Sequence, residues 1–214
     1  FNLLRIILIR DQPTLGGVGM IIEIEGIDGA GKTTQVRLLK QALEDKGHKV
    51  LIVKDLDSTE IGRKIKEMFV SDAPRAKAVE LFGFLCCKAH LFSEVVDAAV
   101  QDGTHVLCDR GFGSLISYFE AHGFEREKLE AMLDIAVPDL RPSHTILLDL
   151  PVKEALHRNM AKQSFSKFDN MGARFFDQQR TIYLSLSERA DWHVVDARKS
   201  IEELQKDILK VLEH

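Results

Sequence analysis

"EGIDGAGKTT", residues 25–34, decides the fold. The stretch fits G-x-x-x-x-G-K-[ST], with Gly26 and Gly31 as the glycines, followed by Lys32 and Thr33. Ahead of it stands "MIIEI", apolar and rich in β-branched residues; behind it runs "TTQVRLLKQALEDKG", where Val36, Leu39 and Leu43 recur at helical spacing before Gly47. The order is strand, tight loop, helix. A loop poor in side chains lets successive backbone N–H groups point inward at an anion, and the helix that follows adds the positive end of its dipole. Lys32 then reaches the outer phosphates of a nucleotide, and the Thr33 hydroxyl ligates a magnesium ion. The plain alternative is a glycine-rich turn that only joins a strand to a helix; the correct flanks count against it.

Working outward, the 214 residues suffice for one domain with a substantial core. The net charge of -4 gives no reason to expect a nucleic-acid partner, which needs a basic face. Three cysteines, Cys86 and Cys87 adjacent on a helix and Cys108 inside a strand, make no disulfide framework and read as buried reduced thiols of a cytoplasmic protein. "FNLLRIILIR" at the start is too short to span a bilayer and carries Arg5 and Arg10, while "DQPTLGGVG" reads as a flexible connection. Residues 1–19 are therefore read as an N-terminal extension, with Met20 as the natural start of a single domain over 20–214. No membrane segment and no internal repeat are expected.

From Met20 onward short apolar strands alternate with longer helical patterns. The strands are "MIIEIE", "VLIVK" (50–54), "HVLCD" (105–109), "TILLDL" (145–150) and "HVVDA" (193–197). Continuous apolar strands separated by helices imply an α/β fold of three layers, a five-stranded parallel sheet covered on both faces. Such a sheet gathers its functional loops at the carboxyl ends of its strands.

Each remaining strand can be asked what it delivers to that edge. The third ends in Asp109-Arg110-Gly111. A carboxylate there can hold magnesium or orient an attacking oxygen, and an arginine can clamp a phosphate with two hydrogen bonds; the bland alternative is a surface ion pair. After the second strand, "KDLDSTEIGRKI" enters a helix through Ser58 or Thr59; Asp55, Asp57 and Arg63 could reach a second substrate, or could be a cap with solvated charges. Lys88 interrupts the apolar "LFGFLCC" and "AHLF", so it either snorkels to water or faces a polar cavity, and Phe84 lies one helical turn before it. An aromatic and a cation at that spacing can stack on and hydrogen-bond to a base, although a core role explains Phe84 alone. The segment 155–174 spreads Arg158, Lys162, Lys167 and Arg174 between two helices, as a lid over a transferred phosphoryl group or as an ordinary basic loop.

With these pieces in place the chain from about Met20 resembles the thymidylate kinase family of P-loop nucleoside monophosphate kinases. The resemblance is carried by "EGIDGAGKTTQ", "FLCCKAHL", "DRGFGS", "LRPSHTILLDLP", "FFDQQRTIYLSL" and "VVDA". It implies transfer of the γ-phosphoryl of ATP to dTMP with magnesium, giving dTDP. It further implies that Gly26, Ile27, Asp28, Gly29, Ala30, Gly31, Lys32, Thr33 and Thr34 bind ATP, with Thr33 and Asp109 on the metal. Asp28 then contacts the deoxyribose 3'-hydroxyl, Phe84 stacks on thymine, Lys88 stands beside base and phosphates, and Arg110 and Tyr118 complete the acceptor site. Because Gly29 stands where one branch of the family has an arginine, the catalytic cation falls to the lid at about 158–174, and Lys167 joins Lys32, Asp109 and Arg110 as a catalytic residue. The family's dimeric habit implies a homodimer.

Three departures keep alternatives open. Lys54-Asp55-Leu56-Asp57-Ser58 replaces the family's Arg-Glu-Pro-Gly-Gly, Ser166-Lys167 replaces a lid Asp-Arg, and "SYFE" replaces a Tyr-Gln. Lysine in place of arginine loses bidentate geometry. A kinase acting on another nucleotide or a nucleoside, and a weakened nucleotide-binding relative, are the other readings; a guanine-specific switch is not, since no Asn-Lys-x-Asp occurs.

Overall fold

The structure, a computed structural model, describes residues 17–71, 73–160 and 172–213. In chain order these form β1 (Ile21–Glu25), α1 (Lys32–Asp45), β2 (Val50–Val53), α2 (Glu60–Val70) and α3 (Lys77–Leu91). A π-helical turn (Phe92–Val96) leads from α3 into α4 (Asp97–Gln101), followed by β3 (His105–Asp109), α5 (Phe112–Glu120), α6 (Arg126–Ala136) and β4 (His144–Asp149). The remainder is α7 (Val152–Met160), α8 (Gly172–Leu186), β5 (Trp192–Asp196) and α9 (Ile201–Val211).

The five strands lie in the order β2-β3-β1-β4-β5, and every neighbouring pair is parallel. The expected α/β architecture with a five-stranded parallel sheet is thus the observed one. From β1 the chain crosses to the edge as β2, returns to fill the gap with β3, and then adds β4 and β5 on the other side, so β1 sits centrally and the loop after it opens into the crevice such a reversal creates. Strand periodicity sends Ile22 and Ile24 to one face, where they pack with Leu39, Leu43 and Ile208. On the opposite face Ile21, Val106 and Cys108 pack with Leu81, Leu85 and Phe119. Thr59 caps α2, its side chain accepting from Gly62 N at 3.0 Å, and Ser200 opens α9 with a capping box to Glu203.

One expectation needs correction. The thiols are not all buried: Cys87 and Cys108 are, but Cys86 is exposed, because consecutive residues on a helix point about 100° apart and cannot share one core face. A π turn interrupts the helical stretch "LFSEVVDAAV", and the apolar pattern does not reveal it because Phe92 and Val96 remain buried through it. Of the segment read as an extension, 1–16 lies outside the described residues; Gly19 N–H donates to the Val100 carbonyl at 2.7 Å. Among the described residues no helix is long and apolar enough to cross a membrane.

Candidate active site

The loop 26–31 has three glycines with positive φ, Gly26, Gly29 and Gly31, and the first two also approach neighbouring backbone closely. Gly26 (φ 139°) presses against the end of β4, where a Cβ would stand 2.6 Å from the Leu148 carbonyl oxygen. Gly29 (φ 93°) presses against α7, where a Cβ would stand 2.7 Å from the Ala155 carbonyl oxygen. The loop folds around Lys32, which is buried; its Nζ donates to the carbonyl oxygens of Gly26 and Ile27 at 2.8 and 2.9 Å and lies 3.7 Å from the Asp28 carboxylate. Burial, then repulsion by Arg110, lower the Lys32 ammonium to about 7, against the pull of Asp28 and Asp109. Ala30 is buried behind the loop, and Thr34 N–H closes the first turn of α1 on the Gly31 carbonyl at 3.1 Å.

At the end of β3, Asp109 is buried and accepts a 2.8 Å hydrogen bond from the Thr33 hydroxyl, with Lys54 Nζ 3.5 Å away. Hydroxyl and carboxylate are oxygen donors of the kind magnesium takes, and magnesium binds through one or two protein groups while substrate phosphates and water supply the rest. Arg110 turns back with φ 80°, a conformation that costs a non-glycine residue about 1–3 kcal/mol unless its surroundings enforce it. Its guanidinium bonds to Asp28 and reaches Ser114 Oγ at 3.4 Å. Asp28 thereby joins Lys32 to Arg110, so Asp28, Lys32, Thr33, Asp109 and Arg110 form one connected edge.

The residues expected to face the acceptor form a second group between α3 and α5. The half-buried Phe84 ring meets Phe69 at 4.9 Å, Phe119 at 6.0 Å and Tyr118 at 6.5 Å between centroids. The Tyr118 hydroxyl donates to Glu80 at 3.2 Å and accepts from Lys77 at 2.9 Å. Lys88 neither snorkels to water nor lies open: only 1% exposed, it donates to Asp55 Oδ1 at 2.9 Å. Asp57 and Arg63 instead tie the loop to α2, Arg63 donating to the Asp57 carbonyl at 3.0 Å and Lys66 pairing with the Asp57 carboxylate. Of the basic segment, Arg158 donates to the Ala197 carbonyl at 3.0 Å and Arg174 is exposed, while Lys162 and Lys167 lie outside the described residues.

A sequence model for thymidylate kinase matches residues 24–208, spanning both the glycine loop and the Asp109-Arg110 turn. The chain belongs to the thymidylate kinase family. Among the relatives, the protein named "Probable thymidylate kinase" in Pyrococcus abyssi is 36% identical over 205 residues, 92% of this chain and 97% of the relative. "Thymidylate kinase" of Fervidobacterium nodosum is 33% identical over 195 residues, 90% of this chain and 98% of the relative. That of Pseudomonas syringae pv. tomato is 32% identical over 199 residues, covering 91% and 95%.

Within this thymidylate kinase family member, two buried carboxylates beneath the site escaped the sequence reading. Glu23 and Glu25 alternate along β1 and so share the face covered by α5. Glu25 accepts from Gly111 N at 2.8 Å, Ser114 N at 2.7 Å, Ser114 Oγ at 2.6 Å and the Tyr183 hydroxyl at 3.1 Å. Glu23 accepts from Phe112 N, 3.1 and 3.2 Å from its two oxygens. Together they accept from the N–H groups of Gly111, Phe112 and Ser114, which have no partner within α5. A signal was present: two glutamates at i and i+2 in a strand that should be apolar on both faces.

Proposed function

We infer that this protein is an ATP-dependent phosphotransferase that phosphorylates dTMP to dTDP. The observation that carries the inference is the glycine loop and the Asp109-Arg110 turn meeting through Asp28, in a chain whose family and named relatives are thymidylate kinases. The readings with a different acceptor or a weakened relative have no comparable support.

In the proposed mechanism no covalent intermediate forms; rate comes from positioning and charge stabilisation. The loop from Gly26 to Thr34 holds ATP through backbone N–H groups, with Lys32 released from its own carbonyls toward the outer phosphates. Thr33 and Asp109 would hold magnesium, whose charge offsets that of the phosphates when it is bound. Arg110 clamps the acceptor phosphate, Asp28 takes the sugar hydroxyl, and Phe84, with Tyr118 beside it, stacks on the base. Lys88 serves the acceptor indirectly, from within the wall of the site, through Asp55. Lys167, in a lid at about 158–174, brings a cation over the transferred group. The kinase domain is taken as 20–214, with 1–19 an extension, acting in the cytoplasm, a reducing setting that suits its free thiols. A homodimer is supported by the exposed Val79 and Phe82 of α3 beside Met68 and Val70 of α2.

The test is ADP release from ATP and magnesium across dTMP, dUMP, dCMP, dGMP, UMP and thymidine. A strong preference for dTMP is expected. Equal or better turnover of another acceptor would refute the assignment.

A further inference from the structure

Lys88 is buried among groups that explain its position without any contact to substrate. Its ammonium lies 2.9 Å from both Asp55 oxygens and over the rings of Phe112 and Phe92, 5.1 and 5.8 Å from their centroids. Burial alone would strip the charge from this amine, but Asp55 and then Glu23 more than reverse the effect, so Lys88 is held above the usual lysine range. Glu23 is 1% exposed and offers its oxygens to Phe112 N, the first residue of α5. The approach is close enough to dictate the sequence: a Cβ on Gly111 would stand 1.9 to 2.2 Å from the atoms of the Glu23 carboxyl group. Gly111 directly follows Arg110, whose N–H donates to the Ile24 carbonyl at 3.2 Å in the strand that carries Glu23.

We propose that Asp55, Lys88 and Glu23 form a buried relay joining the loop after β2 to the start of α5, in which Lys88 and Glu23 are positioning residues that set the turn bearing Arg110. The proposal deepens the reading in which Arg110 serves the acceptor phosphate, and it rests on that reading. One cation, Lys88, stands here among the carboxyl groups of Asp55, Glu23 and Glu25, and Glu23 is the one that keeps its proton: burial and the neighbouring Glu25 push it up to about 8, with Lys88 opposing. Cys108 faces it from β3, and Glu130, Asp134, Arg141, Arg189 and Asp191 stand across the cavity it lines. When Glu23 ionises it competes with Asp55 for Lys88, and the loop after β2 loosens.

The experiment measures kcat and KM for dTMP, at saturating ATP and magnesium, for wild type, Lys88→Met, Asp55→Asn, the double variant and Glu23→Gln, with the Tm of each. If Lys88 acts through Asp55, each single change raises KM for dTMP by about tenfold, and the double variant is no worse than either, the signature of one coupled unit. A direct substrate contact by Lys88 predicts instead that the two effects multiply, which would overturn the relay. In wild type KM for dTMP rises above about pH 8, whereas Glu23→Gln, which keeps an acceptor for Phe112 N–H but cannot ionise, stays level; identical profiles would also overturn it. Should Lys88→Met fail to fold, Asp55→Asn and the pH comparison decide alone. If wild type turns out to prefer another acceptor, the assignment to dTMP fails but the same cycle is run on that acceptor, so the two failures are separable.

Discussion

At the scale of single residues, Lys32 is the group whose charge the fold leaves poised. Burial and Arg110 bring its ammonium to about 7 in the folded protein, and the phosphates of ATP restore it. Binding must then take up a proton above neutral pH, because the free protein is largely deprotonated at Lys32 and the complex is not. Calorimetric titration of ATP at pH 8, in buffers of differing ionisation enthalpy, is expected to reveal that uptake. Lys32→Ala should abolish both the uptake and turnover; uptake persisting in the variant would assign the proton elsewhere. Lys167→Ala is expected to lower kcat by about a hundredfold, the size of one charge-stabilising group, with KM for dTMP little changed; an unchanged kcat would remove the lid role proposed for it. The pattern around Lys32 and Thr33 was legible because backbone geometry there restricts residue types. For Glu23 and Glu25 the oddity of two acids in an apolar strand was visible, but their partners were not, because nothing local says which helix, 86 or more positions later, they cap.

Elements meet at the opposite edge of the sheet through two histidine pairs. Met20 N–H donates to His105 Nδ1 at 3.0 Å, so Nε2 carries the ring proton and donates to His48 Nδ1 at 3.2 Å. His144 and His193 pair likewise at the starts of β4 and β5, 3.3 Å apart. Burial first, then the His48 ring, hold His105 below the usual histidine range. The unfolded chain therefore binds a proton at higher pH than the folded one, and the stability His105 contributes is complete above about pH 6.5 and declines as pH falls toward its folded value. Lys32 and Glu23 titrate nearby, so the informative quantity is the Tm difference between wild type and His105→Gln. That difference is expected to be largest at pH 7.5 and to shrink by pH 5.5; a constant difference would deny His105 the role. Helix boundaries on this scale were readable where caps mark them, as at Thr59, whereas the π turn at Phe92–Val96 left no mark in the apolar pattern.

For the whole molecule, the exposed Val79 (44%) and Phe82 (60%) give the proposed homodimer its test. Phe82→Glu should shift the sedimentation coefficient from dimer to monomer at micromolar concentration, and a wild type that is already monomeric would refute the dimer. The sequence by itself determined the α/β class, the five strands, the loop that follows the first of them and the family, because strand and helix periods and the phosphate-loop spacing are local properties of the chain. Only the tertiary structure decided that β1 lies at the centre of the sheet, that Asp28 joins the loop to Arg110, and that Lys88 spends its charge on Asp55. Those outcomes depend on which distant groups burial brings together, and the balance between desolvation and pairing that sets each charge exists only once the layers have closed.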